Sequence, residues 1–119
     1  MFFDGMKEGK DESQLGELAD QTFKLAELVS YQDGAIVSRT LVDKDCGTLT
    51  VFAYDEGQTV SEHTASHTAM AQVLEGKGKI IVNGKEFIVN EGESIALPSG
   101  TPHSVKAPQK FKMFLIMVG

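Results

Sequence analysis

Two glycine-led stretches in the middle of the chain restrict its fold more than any other feature. The first runs Gly57-Gln58-Thr59-Val60-Ser61-Glu62-His63-Thr64-Ala65-Ser66-His67, and the second runs Gly92-Glu93-Ser94-Ile95-Ala96-Leu97-Pro98-Ser99-Gly100-Thr101-Pro102-His103. All three histidines fall inside this region. In the second stretch Pro98 and Pro102 cannot donate to a strand ladder and Gly100 supplies backbone freedom, so a tight turn is expected there. Between the two stretches lie a Val73-Leu74-Glu75-Gly76 bend and an Asn83-Gly84 pair. That pair is the strongest hairpin signal in the chain, because both central residues of a type I′ turn need positive φ.

Around these turns the apolar residues recur with a period of two. Strands are expected over Ala35 to Val42, Thr48 to Tyr54, Val60 to Thr64, Ala69 to Leu74, Lys79 to Val82, Lys85 to Val89, Ser94 to Leu97, His103 to Lys106 and Lys110 to Val118. The last of these is apolar on both faces. Short strands separated by regular turns, with no long helix, describe an all-β sandwich or barrel. Closing the sheet removes exposed edges and encloses room for one small ligand. Residues 1–20, rich in Asp, Glu, Lys and Gly, offer little to bury and read as a tail ahead of a domain over 21–119, with Met6 an alternative start. Phe23, Leu25, Ala26, Leu28 and Val29 suit either a short helix or an edge strand, the run being too short for periodicity to decide. Phe23, Leu25 and Leu28 are expected to anchor this segment to the barrel or to a second subunit.

Composition excludes some partners. At 119 residues the chain builds one core, and its 41% hydrophobic and 24% charged content is ordinary for a globular protein. A net charge of −6 argues against nucleic acid or an anionic membrane as partner, since both call for a basic face. No apolar run reaches the ~18 residues of a membrane span, and Met1-Phe2-Phe3-Asp4 does not open a secretory signal. Cys46 is the single cysteine; it sits in a polar turn with no histidine near it in sequence, so neither an intrachain disulfide nor an activated thiol is expected. The cytoplasm is the expected location.

The spacing within the two stretches resembles the cupin family. The family's second motif is a glycine, five residues, Pro-x-Gly, two residues, His, three residues, Asn; Gly92, Pro98, Gly100 and His103 match it, with Ala107 in place of Asn. The first motif is a glycine, five residues, His-x-His, three or four residues, Glu, six residues, glycine; Gly57, His63 and Gly76 match it. The resemblance covers roughly Ala35 to Val118. It implies a double-stranded β-helix, a jelly-roll barrel with its site in the lumen. Cupin metal sites typically use three histidines and a glutamate, yet here the second histidine position is Ala65 and the glutamate position is Ala69.

On a strand, residues two apart share a face. A lumen-facing His63 therefore brings Ala65 with it, and counting back from Gly76 puts Ala69, Ala71 and Val73 together. The lumen is then wider and more apolar beside His63 and His103. A bend at Thr64 to Thr68 would swing His67 inward, giving a three-nitrogen set of His63, His67 and His103 for a divalent transition metal such as Fe, Mn, Ni or Zn. Tyr54 and Met70 are candidates to line the mouth. Glu62 and Gln72 have the opposite parity, and they and Glu75 read as surface residues. Gly76-Lys77-Gly78-Lys79 lies between strands and lacks the following helix of a phosphate loop.

Three functions remain open on these residues. With a metal, the resemblance implies dioxygenase, isomerase or epimerase chemistry. Without one, the Ala-lined lumen is a binding site for a small organic molecule such as a carboxylate or a sugar, with His63 and His103 as polar anchors. The third is an interaction protein, in which Phe23 to Val29 and Phe111 to Val118 bury each other across a homodimer.

Overall fold

The computed structural model describes residues 14–119, so residues 1–13 of the expected tail lie outside the described residues. Among the described residues, nine strands follow two short 3₁₀ turns: β1 Ile36–Lys44, β2 Gly47–Tyr54, β3 Thr59–His63, β4 Thr68–Glu75, β5 Lys77–Val82, β6 Lys85–Asn90, β7 Ser94–Leu97, β8 His103–Lys106 and β9 Phe111–Val118. They form two antiparallel sheets, one in the order β1-β2-β9-β4-β7 and the other β3-β8-β5-β6. The fold is a jelly-roll barrel, all-β as the alternation of the sequence predicts. Among the described residues no helix is long and apolar enough to cross a membrane.

Turn chemistry sets the connections. Asn83 and Gly84 both take positive φ (53° and 81°) and close the β5–β6 hairpin, pairing Val82 with Lys85. Gly76, at φ 75°, ends β4 after a register shift between Val73 and Glu75. A Cβ at Gly76 would run into the Lys110 carbonyl.

The larger sheet is apolar on both sides. Its inner face, with that of the smaller sheet, encloses the main core of Tyr54, Val73, Ile80, Val89, Leu97, Val105, Phe111 and Met113. Phe111 is fully buried, and its ring stacks on Tyr54 at 4.7 Å between centroids, the planes 17° apart. The outer face carries a second cluster of Leu41, Val51 and Ala53. A bulge in β1 between Thr40 and Val42 turns Leu41 into that cluster.

Residues 21–31 form no edge strand, and the short helix left open by the sequence is met only in part. Only Leu25–Leu28 turns, as one 3₁₀ turn with extended backbone at Lys24 and Val29. Residues three apart eclipse in such a turn, so Leu25 and Leu28 point together onto the outer face, where Val29 is buried and Phe114 of β9 joins the same cluster. Phe23 stays exposed. The two apolar stretches singled out for a dimer thus meet within one chain. The segment is also tied by polar contacts: Tyr31 Oη donates to Glu75 Oε2 (2.5 Å) and Lys112 Nζ donates to the Ala26 carbonyl (2.6 Å). Earlier in the chain, Arg39 Nε donates to Gln14 Oε1 (2.9 Å), fastening the Gln14–Leu18 turn to β1.

Gly78 sets the spacing between β5 and β9. A Cβ there would lie 2.6 Å from Cε2 of Phe111, whose neighbours leave it nowhere to go. Gly78→Ala is expected to destabilise the fold by about 1–3 kcal/mol through overpacking, a fall in Tm of roughly 5–20 °C. Thermal denaturation measures it, and adding Phe111→Leu should recover part of the loss; an unchanged Tm would contradict this packing.

Candidate functional site

The site begins with the pairing of β3 and β8, which joins the two glycine-led stretches. Thr59 pairs with Lys106 and Val60 with Val105; the register then shifts, and His63 pairs with His103. The extra residue in β3 puts His63 on the same side as Val60, although the two differ by three in number. Backbone bonds tie both ends of the pair. Gly57 N donates to Ala107 O (2.8 Å) and Ala107 N to Gln58 O (2.9 Å) at one end, and Gly100 N donates to Ala65 O (2.9 Å) at the other. Ser99 Oγ reinforces the second tie by donating to Ser66 O (2.7 Å).

The two imidazoles therefore lie edge to face, their centroids 4.4 Å apart and their planes at 65°. His103 is buried and His63 exposed, so the pair runs from the interior to the mouth. Each ring is oriented by a carbonyl two residues back: Ser61 O lies 2.9 Å from His63 Nδ1, and Thr101 O lies 3.1 Å from His103 Nδ1. A carbonyl only accepts, so Nδ1 carries the proton in both rings. In the neutral imidazole this leaves Nε2 as the free lone pair.

Both rings line a cavity of about 260 Å³ between the sheets. Its wall comprises Phe52, Tyr54, Val60, Ala65, Ala69, Leu97, Val105, Met113, Leu115 and Met117 besides the two histidines. None of these carries a formal charge. Tyr54 is buried beside Phe111, and burial pushes its phenol up to about 12.

The structure thus brings together His63, His103, Ala65, Ala69 and Tyr54 of the residues singled out from sequence. It does not bring in the other three. His67 follows the expected bend, but its ring lies against Gly119, where a Cβ would stand 3.0 Å from Cδ2, and Ser66 Oγ is 3.3 Å from its Nδ1. Ala71 shares the inward face and packs in the core outside the cavity wall. Met70 is 41% exposed and pairs with Ile116 and Ala96 on the outer side of β4. Sequence reasoning missed Phe52, Val60, Leu97, Val105 and the β9 residues Met113, Leu115 and Met117. Phe52 was accessible through its parity with Tyr54. The β9 residues were not, because that strand is apolar on both faces.

Comparison with known proteins is consistent with this geometry. Residues 50–119 match the family model described as a cupin domain. A conserved protein of unknown function from Streptococcus pyogenes superposes with a TM-score of 0.81 at 32% identity, covering 83% of this chain and 87% of that one. A cupin 2 conserved barrel domain protein from Leptotrichia buccalis gives a TM-score of 0.80 at 45% identity, over 82% of this chain and 47% of that one. A mannose-1-phosphate guanylyltransferase from Klebsiella pneumoniae is 32% identical over 56 residues, 47% of this chain; the match spans only 11% of that protein's length.

The donor set can be tested against the transition metal that the fold implies. Catalytic sites of this kind take three protein ligands and keep an open position. Here the lumen supplies two imidazoles, with the methyl groups of Ala65 and Ala69 at the remaining motif positions. Among the described residues no three His, Cys, Asp or Glu side chains are gathered closely enough to hold an ion. These residues do not fit a resident metal.

Two expectations follow from the wall itself. Ala65→His with Ala69→Glu restores the absent donors and should give a protein that retains about one equivalent of zinc or iron after desalting, while the natural chain retains less than about 0.1; elemental analysis compares them. For Tyr54, burial favours the neutral phenol, so its contribution to stability is complete below pH 10.0 and is lost as pH rises through about 12. A displacement of that size corresponds to on the order of 2–3 kcal/mol. Tyr54→Phe should show a flatter decline of Tm than the natural chain across that alkaline range.

Proposed function

This chain belongs to the cupin family, and we propose that it is a ligand-binding member, holding one small and mainly apolar organic molecule in the lumen without a resident metal. One observation carries the reading: a 260 Å³ cavity whose wall is apolar except for Tyr54 and two convergent imidazoles. Small-molecule sites usually combine an apolar wall with a few placed polar groups. An apolar cavity of roughly 150 Å³ already admits a benzene ring, so this one has room for a substituted ring. Met113 and Met117 add adaptable, polarizable surface against such a ligand. His63, at the exposed end of the pair, marks the entrance, and His103 is the inner anchor.

The reading is tested by thermal shift with chelator present throughout. Monocyclic fragments of the size of toluene should raise Tm, by an amount corresponding to about 2.7 kcal/mol at a hundredfold excess over Kd. Ala69→Leu, which places extra methyl groups in the cavity, should abolish the shift while leaving the unliganded protein folded. The proposal fails if no fragment stabilises the protein, or if Ala69→Leu responds as the natural chain does.

A further inference from the structure

The hydrogen-bonding state of the two histidines also restricts the ligand's chemistry, on the premise that the lumen binds an organic molecule as proposed above. The geometry points to a neutral molecule with a hydrogen-bond donor at its head, a phenol or an alcohol on an apolar body, and against a carboxylate or a sugar. Each Nδ1–H is committed to a backbone carbonyl, that of Ser61 or Thr101. Both rings line the cavity, and each neutral ring therefore keeps one free acceptor, Nε2, and no free N–H. With ring centroids 4.4 Å apart, a single head group can reach both rings.

A carboxylate at that head would meet two lone pairs. The cavity wall contains no Lys or Arg to neutralise it, its one further donor being the uncharged Tyr54 phenol, and an ion taken out of water without an opposite charge is strongly disfavoured. A sugar fails for a different reason. Its several hydroxyls would face Val60, Leu97, Val105, Leu115 and the methionines, where they find no partner. An ammonium head would find no carboxylate in the same wall. A hydroxyl donating to Nε2 satisfies the histidines, and an aromatic body meets Phe52, Tyr54 and the methionine sulfurs in arrangements those groups favour.

A matched series tests this: p-cresol, p-toluate and toluene, titrated calorimetrically at pH 8 with chelator present. p-Cresol should bind roughly tenfold more tightly than toluene and at least roughly a hundredfold more tightly than p-toluate. His103→Phe keeps the bulk and removes the acceptor, so the advantage of p-cresol over toluene should shrink to within about threefold; His103→Gln, which supplies an amide N–H, should narrow the gap between p-cresol and p-toluate. Equal affinity for p-cresol and toluene, or p-toluate binding as tightly as p-cresol, would overturn the donor assignment while leaving lumen binding intact. Binding of none of the three would overturn both readings.

Discussion

The site depends on one irregularity, the extra residue in β3 between Val60 and His63. Strict alternation would set these two side chains on opposite faces of the strand. The bulge restores His63 to the face of Val60 and seats it across from His103. It is held because both ends of the β3–β8 pair are closed by backbone hydrogen bonds, at Gly57 and Ala107 and again at Ala65 and Gly100. Each such bond contributes about 0.5–1.5 kcal/mol net. Together they fix the register, since a slip by one residue would turn the whole strand inside out.

From that pairing the rest of the lumen follows. The β3–β8 pair forms one wall; β2, β9 and β4 form the other, with Phe52, Met113, Leu115 and Ala69 facing the histidines across the gap. Tyr54 in this wall stacks on Phe111, and Phe111 approaches β5 only because Gly78 has no side chain. The outer side of the larger sheet is closed separately, by the Leu25–Leu28 turn and Val29. The two faces thus have different tasks: the inner one leaves a space, and the outer one is covered by the chain's own N-terminal segment.

Much of this was legible in the residues. Asn83-Gly84, the glycines at 57, 76, 92 and 100, and the alternation between them mark the strands to within a residue or two, because local backbone preference and binary pattern agree there. The pairing of His63 with His103 was legible only through the resemblance to cupins. Met70 illustrates a limit of composition, since parity alone, counted from Ala69 and Ala71, already puts it on the outer face. His67 illustrates a different limit: a bend can be foreseen at Thr64 to Thr68, but its direction is set by the packing of the ring against Gly119. Residues 21–31 defeated periodicity because their conformation answers to the sheet beneath them and not to their own pattern.

By itself, then, the sequence determined the all-β class and the placement of turns, while Ala65 and Ala69 were marked as standing where ligands are usual only by the resemblance to cupins. Those are matters of residue type and short-range spacing, which a chain carries whatever it packs against. The tertiary structure decided the facing of His63, the exclusion of His67, and which of the two apolar faces of β9 looks into the lumen. These are matters of register between strands distant in sequence, and register is chosen only when the two sheets close on each other.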